Sequence, residues 1–132
     1  MANLTSLLQT DRFVVPLTAT RKQDAIREVA TVLKGSSEVP DFRRFLSALF
    51  RKESRFGSGV DKGVSLPHYR DESVKSPVVV VGVSPTGITW DKDETVQILV
   101  LVGWPDKHEN AYLHTVADIA RAFHRPEARR LV

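Results

Sequence analysis

The chain has 132 residues, which is enough for one domain with a buried core. Hydrophobic residues make up 42% of it and charged residues 27%, as in an ordinary globular protein. The net charge is +3, and the 19 basic and 16 acidic side chains are interspersed, without the basic stripe and aromatics that nucleic-acid binding requires. The apolar runs are too short to span a bilayer, and without cysteine there is no disulfide or thiolate chemistry.

The first part of the chain predicts a strand and a helix. Residues 4–17 suggest a short helical turn followed by a brief strand, and the opening residues show no secretory signal. Thr20 and Gln23 have the spacing of a capping box, and apolar residues follow at helical intervals. We therefore predict a helix over 21–34 that is ended by Gly35.

A second helix is predicted from Asp41 onwards. Its apolar side chains recur at i, i+3, i+4, i+7 and i+8, which predicts a stripe that faces the core. The stripe consists of Phe42, Phe45, Leu46, Leu49 and Phe50. The end of the helix carries cations that complement the helix dipole, namely Arg51, Lys52 and Arg55.

Two apolar runs further along the chain predict central strands. Val78–Val81 and Val96–Val102 lack alternation, which indicates strands buried on both faces. Between them, Ser84–Gly87 has the proline and glycine of a type I turn, and residues 88–90 suggest a short strand.

A third helix is predicted over 110–124, with Asn110 as its N-cap. Its inward residues are predicted to be Leu113, Val116, Ala117, Ala120 and Phe123. Residues 127–132 resemble the opening of another helix, so the domain over 1–132 is expected to be trimmed or part of a longer chain. Helices that alternate with doubly buried strands predict one α/β domain, a mixed β-sheet flanked by helices.

The segment Phe56–Arg70 carries the candidate chemistry. It contains three glycines, then the apolar run Val64–Leu66, which predicts a strand. Pro67 ends that ladder and presents His68 at a stiff strand end, next to Arg70. A histidine beside a glycine-rich loop and an arginine is compatible with phosphate chemistry, although an isolated histidine is more often structural. No Walker lysine-serine pair or dinucleotide fingerprint accompanies the glycines.

The order of these motifs resembles the enzyme IIA domains of the bacterial sugar phosphotransferase system, of the fructose/mannitol type, and their nitrogen-regulatory branch most of all. The resemblance begins with the helix opening Thr20–Ile26 and continues through the loop Gly59–Ser65. Its centre is Leu66–His68, which is similar to the family's Ile/Leu-Pro-His phosphorylation site. It ends with the helix that contains Tyr112–Thr115.

The resemblance implies a phosphoryl relay in the cytoplasm that needs no metal or other cofactor. His68 would accept the phosphoryl group from a histidine phosphocarrier protein and act as a phosphotransferase component. A IIB domain or a regulatory target protein would be the next partner, and a regulatory role is favoured. Arg70 and backbone amides near Gly59 and Gly63 would neutralise the phosphoryl oxygens.

Two positions depart from the family pattern. Lys52 stands where the family usually has an arginine, and lysine cannot bind a phosphate through two donors at once. Tyr112 stands where the family usually has a second histidine, so it can donate a hydrogen bond but carries no positive charge. His114 lies about 200° further around the helix, and His108 lies in the preceding loop.

These departures keep a second hypothesis open: an interaction module with little or no phosphotransfer. A metal site of His68, His108 and His114 is disfavoured because no two of them have the spacing of a helical ligand pair. If the relay hypothesis is right, His68 should lie in a shallow depression with Tyr112 and a cation from the second helix. Its rim should expose apolar side chains for docking, from among Phe56, Val60, Leu66 and Tyr69.

Overall fold

Six strands form one mixed sheet in the computed structural model of the chain, which describes residues 12–107 and 109–125. The strands are β1 (Phe13–Val14), β2 (Val60–Asp61), β3 (Val64–Ser65), β4 (His68–Arg70), β5 (Val78–Thr89) and β6 (Thr95–Trp104). The helices packed on the sheet are α1 (Lys22–Thr31), α2 (Phe42–Phe56) and α3 (Glu109–Phe123). The predicted α/β class, a mixed sheet flanked by helices, is confirmed.

Strand β6 is the centre of the sheet. It pairs with β5 in antiparallel fashion on one side, and with β3 and β4 in parallel on the other. The other two strands lie at the edges of the sheet: β1 pairs with β5, and β2 pairs with β3. Both β5 and β6 are buried along most of their length, as their unbroken apolar runs predict.

The two faces of the sheet carry separate hydrophobic clusters. Helices α1 and α2 cover one face, where Ile26 and Leu49 pack with Leu101. Helix α3 covers the other face, where Ile119 packs with Val100. Within the described ranges, no helix combines the length and the apolar character needed to cross a membrane.

The ends of the first two helices agree only partly with prediction. Asp41 caps α2, because its carboxylate accepts a hydrogen bond from the Arg44 amide at 3.1 Å. The predicted Thr20 cap of α1 is wrong: the N-cap is Arg21, which makes no side-chain cap. The Thr20 carbonyl instead accepts the amide of Thr89 at 2.8 Å, which ties this residue to the end of β5. After α1 the chain runs through turns to Gly35, whose φ is +86°.

The prediction of a turn at 84–87 that separates two strands is also wrong. The chain stays extended through β5, and its register with β6 shifts between Val83 and Ile88. The Gly87 amide donates to the Ser84 hydroxyl at 3.1 Å, and Gly87 has a φ of +94°. The turn residues therefore form an irregularity within one long strand instead of separating two strands.

Helix α3 confirms only part of its predicted inward face, since Phe123 is buried and Val116 packs against the core. It begins at Glu109, so Asn110 lies inside the helix. Leu113 and Ala117 are exposed, whereas the buried residues are Tyr112, Thr115, Ile119 and Phe123. Both sets have helical spacing, and the buried set includes the aromatic rings that fill the space over the sheet. The predicted elements in residues 4–11 and 127–132 lie outside the described residues.

The packing of α1 on β5 predicts the effect of one substitution. A Cβ atom added at Gly82 would lie 2.7 Å from Val29 Cγ1 and 2.8 Å from Leu17 Cδ1. We expect Gly82→Ala to lower the free energy of unfolding by about 1–3 kcal/mol, since overpacking forces the core to shift. Chemical denaturation followed by circular dichroism measures this change.

Gly59→Ala is the matched control for this substitution. No atom lies within 4 Å of a Cβ placed at Gly59, so its unfolding free energy should change by less than about 0.5 kcal/mol. Equal denaturation midpoints for Gly82→Ala and the unmodified protein would mean that α1 does not pack this closely on β5.

Candidate functional site

Strand β4 brings the candidate histidine to the sheet. Pro67 has no amide proton, but its carbonyl accepts the amide of Val102 at 2.9 Å. Pairing with β6 then resumes in the same register, with His68 opposite Val102 and Arg70 opposite Trp104. Pro67 therefore interrupts the ladder without ending it, and His68 begins a new strand, not the end of the preceding one.

The side chains of β4 alternate between the two faces of the sheet. The rings of His68 and Tyr112 are 6.1 Å apart, and Tyr112 belongs to helix α3. The guanidinium of Arg70 lies 5.6 Å from the centre of the same Tyr112 ring. Tyr69 points the other way, and its hydroxyl donates a hydrogen bond to Glu53 on helix α2. One short strand thus supplies a histidine and an arginine to one site and an anchor to the opposite face.

His68 lies in a shallow, open depression of about 460 Å³. The depression is lined by Lys52, His68, Tyr69, Arg70, Asp71, Glu72, Asp106 and Tyr112. The structure therefore brings together the four predicted side chains His68, Lys52, Arg70 and Tyr112. Of the side chains expected to form an apolar rim, Tyr69 lines the depression, but Val60 and Leu66 do not. Ionisable groups predominate there, with two cations and three carboxylates. The side chain of Phe56 lies outside the described part of the chain.

The hydrogen bond of His68 defines its tautomer. Its Nδ1 atom is 2.5 Å from the carbonyl oxygen of Leu66. A carbonyl oxygen can only accept, so Nδ1 carries the proton of the neutral ring. The lone pair of that ring is then on Nε2, and the side chain is exposed at the depression.

Tyr112 forms the floor beside His68. Its ring is 5.9 Å from that of Trp104, and the residue is only 7% exposed. Burial raises the pKa of Tyr112 to about 12, with the charge of Arg70 opposing this shift. The hydroxyl therefore keeps its proton at neutral pH and can donate a hydrogen bond.

Lys52 connects helix α2 to the end of β4. Its Nζ atom donates to the carbonyl of Arg70 and lies 3.5 Å from a carboxylate oxygen of Asp71. Burial would by itself raise the pKa of Asp71, but hydrogen bonds from Ser73 and the charge of Lys52 outweigh it and lower that pKa. The ammonium group is thus already engaged with two groups of the protein.

A buried carboxylate beneath the depression was not recognised from the sequence as a site element. Glu53 is 5% exposed, and its Oε2 accepts hydrogen bonds from Tyr69 and, at 2.6 Å, from Ser58. Its Oε1 lies 3.0 Å from the Lys22 ammonium. Burial, followed by the hydrogen bond to Glu53, raises the pKa of Tyr69. The signal in the sequence was an acid that continues the apolar stripe of α2, three residues after Phe50.

The second half of the glycine-rich loop is not part of the depression. It forms the β2–β3 hairpin, in which Lys62 and Gly63 have positive φ, and Gly59 and Gly63 are not among the residues that line the depression. The hairpin contacts the end of α3, where His124 Nε2 is 3.0 Å from the carbonyl of Asp61. That contact is twelve residues beyond Tyr112, or roughly 18 Å along the helix axis. The expected role of these glycines at the phosphate is therefore not supported by their position.

Of the histidines that the structure describes, neither His114 nor His124 lines the depression of His68. His114 is exposed on α3, and His108 lies outside the described residues. Among the residues described, no group of three or more His, Cys, Asp or Glu side chains has a metal-binding arrangement.

Comparison with known proteins adds the family. The profile described as "Phosphoenolpyruvate-dependent sugar phosphotransferase system, EIIA 2" matches residues 6–132. The chain belongs to this family. Its members are phosphotransferase components that carry a phosphoryl group on histidine.

Curated and solved relatives agree with this assignment. The chain is 22% identical over 129 residues to the "PTS system fructose-specific EIIABC component" of Bacillus subtilis (strain 168). That alignment covers 96% of this chain and 20% of the Bacillus protein, so the IIA chain spans about a fifth of that relative's length.

Two solved IIA structures share the fold. The nitrogen regulatory protein IIA-Ntr of Neisseria meningitidis matches with a TM-score of 0.82 at 20% identity, covering 95% of this chain and 86% of that one. The mannitol IIA enzyme of Escherichia coli, solved in complex with phosphorylated mannitol IIB, matches with a TM-score of 0.77 at 16% identity. It covers 94% of this chain and 87% of that one.

The hydrogen bond between Tyr69 and the buried Glu53 anchors β4, so its removal should make the IIA domain less stable. Tyr69→Phe removes a hydroxyl that donates to a buried carboxylate. We expect the free energy of unfolding to fall by about 1.5–3 kcal/mol, the worth of a hydrogen bond to a charged group. Urea denaturation of the variant and the unmodified protein measures the difference.

Tyr112→Phe is the control for this prediction. In the described part of the chain, the Tyr112 ring contacts aromatic and cationic groups, and its hydroxyl makes no hydrogen bond. Its removal should therefore cost far less stability than removal of the Tyr69 hydroxyl. Equal losses in the two variants would contradict the anchoring role of Glu53.

Proposed function

We propose that His68 accepts a phosphoryl group on Nε2 from a histidine phosphocarrier protein. The observation that carries this proposal is the hydrogen bond from Nδ1 to the Leu66 carbonyl, which leaves the lone pair of the neutral ring on Nε2. A neutral imidazole with an accessible lone pair is a competent nucleophile near neutral pH. Because the carrier protein obtains its phosphoryl group from phosphoenolpyruvate, the proposal also places the action of this IIA domain in the cytoplasm.

The transfer step needs little from the protein besides position and charge. The Nε2 lone pair forms a bond to phosphorus as the bond to the donor's ring nitrogen breaks, and the electrons of that bond stay on the donor. The proton stays on Nδ1, hydrogen-bonded to the Leu66 carbonyl, throughout the transfer. Arg70 supplies positive charge to the phosphoryl oxygens, and Tyr112 donates a neutral hydrogen bond. Lys52 holds the end of β4 and contributes a second positive charge.

The onward partner is proposed from the relatives. Mannitol IIA of Escherichia coli forms a complex with phosphorylated IIB, so a IIB cysteine is one candidate acceptor. A regulatory role is the proposal we favour, and the fold likeness to IIA-Ntr of Neisseria meningitidis is compatible with it. In that role, the phosphorylation state of His68 would control a target protein.

A protein-interaction module with little or no phosphotransfer is the second candidate. The observation that favours it is the electrostatic character of the depression, where carboxylates outnumber cations. The ammonium of Lys52 is engaged with Arg70 and Asp71, and Tyr112 cannot take up a positive charge as a histidine could. A doubly charged phosphoryl group would be weakly stabilised in such a site.

The first test is incubation with phosphoenolpyruvate, enzyme I and the histidine carrier protein, followed by intact mass measurement. We expect one phosphoryl group on the unmodified chain and none on His68→Ala. His114→Ala is the matched control, since His114 is exposed on α3 outside the depression and should not affect labelling. Labelling of His68→Ala at the normal level would overturn the proposal.

Substitutions at Tyr112 separate the two candidate functions. Tyr112→Phe should slow transfer about ten- to a hundredfold, since a hydrogen bond to a charged group is worth roughly 1.5–3 kcal/mol. Tyr112→His should restore or exceed the normal rate, because an imidazole there can donate with positive charge. If only Tyr112→His becomes phosphorylated and the unmodified chain does not, the interaction module is the correct function.

A further inference from the structure

Arg70, a cation that lines the depression, forms an ion pair with helix α3. The guanidinium of Arg70 lies 3.3 Å from a carboxylate oxygen of Glu109, the first residue of α3. The Glu109 side chain is 64% exposed and that of Arg70 is 31% exposed. Glu109 is therefore the more exposed partner of the ion pair, and the same guanidinium also contacts the Tyr112 ring.

The cations that line the depression already have partners within the protein. Arg70 is paired with Glu109, and Lys52 is engaged with the Arg70 carbonyl and with Asp71. The carboxylates of Glu72 and Asp106 also line the depression. A phosphoryl group that arrives at His68 must therefore compete with existing acceptors for positive charge.

We infer that Glu109 limits the share of the Arg70 charge that reaches the phosphoryl group, and thereby keeps the phosphorylated state of His68 prone to pass its phosphoryl group on. This inference rests on the proposed function of His68. Glu109 is a positioning residue here, because it acts on the phosphoryl group through Arg70 and does not contact the reacting atoms.

The physical reason is a competition between two anions for one cation. A phosphoryl group adds about two negative charges within the depression. If Arg70 turns toward it, the Glu109 carboxylate loses its partner and remains near the new charge, which is unfavourable. If Arg70 stays with Glu109, the phosphoryl oxygens receive less stabilisation. Either arrangement raises the free energy of the phosphorylated form relative to a site without the Glu109 charge.

The same competition leaves the chemistry of transfer unchanged. In the onward step the bond between Nε2 and phosphorus breaks, and its electron pair returns to Nε2 as the acceptor nucleophile bonds to phosphorus. Glu109 neither gives nor receives a proton in this step. Its effect is on the equilibrium between the phosphorylated carrier and the phosphorylated IIA domain, and on the lifetime of the latter.

The experiment measures that equilibrium with intact mass spectrometry. The phosphorylated histidine carrier protein is mixed with the IIA chain at equal concentration, in the absence of phosphoenolpyruvate. We expect Glu109→Gln to move the equilibrium toward the phosphorylated IIA chain by about two- to fivefold, the size typical of exposed ion pairs. Glu109→Asp retains the charge on a shorter side chain and should give an intermediate shift.

Two further variants identify the route of the effect. Asp118→Asn removes a carboxylate from the exposed side of the same helix, roughly 13 Å further along, and should leave the equilibrium unchanged. In an Arg70→Gln background, Glu109→Gln should lose most of its effect, because the shared cation is absent.

The outcomes separate this inference from the proposed function. Failure of the unmodified chain to gain a phosphoryl group overturns the proposed function and this inference with it. If the unmodified chain is phosphorylated and Glu109→Gln produces no shift, or the opposite one, only the inference is overturned. A Glu109→Gln shift that persists undiminished in the Arg70→Gln background also overturns it, since Glu109 would then not act through Arg70.

Discussion

The parallel ladder between β4 and β6 is the interaction on which the site depends. It begins with the Pro67 carbonyl, which accepts the amide of Val102, and it ends where the Asp71 amide donates to Trp104 at 2.9 Å. Because successive side chains of a strand point to opposite faces, this pairing directs His68 and Arg70 toward α3. The same pairing directs Tyr69 toward α2, so a shift of one residue would exchange the nucleophile for its anchor.

A buried polar network holds this ladder from the other face. Glu53 accepts hydrogen bonds from Tyr69 of β4 and from Ser58 in the loop after α2, and it forms an ion pair with Lys22 of α1. The Lys22 ammonium also contacts Asp91 at 2.6 Å. A buried carboxylate is costly unless it is paired and hydrogen-bonded, so these partners stabilise one another. The face beneath the depression is therefore held by buried contacts, whereas the charged groups around His68 are more exposed and can rearrange.

The sequence allowed the main residues of the site to be identified from the order of their motifs along the chain. The histidine after Pro67, the arginine two residues later and the tyrosine in the last helix were all identified from sequence, and the structure brings these three side chains to one depression. The role of Glu53 was missed because a helical stripe shows that a residue faces inward. It does not show which hydroxyl groups of other elements will donate hydrogen bonds to that residue. Gly59 and Gly63 do not line the depression, although the same loop reaches the anchor of β4 through Ser58, which donates a hydrogen bond to Glu53.

The sequence by itself determined the α/β class, the two central strands and the stripe of α2, because long apolar runs and helical periodicity are local signals of burial. Only the tertiary structure decided which face of α3 meets the sheet. Leu113 and Tyr112 are adjacent, and helical spacing allows either to lead an apolar stripe. The Tyr112 ring packs against Trp104 and beside His68, while Leu113 is left 51% exposed. That choice depends on the shape of the facing sheet, which no local pattern encodes, and it is what brings Tyr112 into the site.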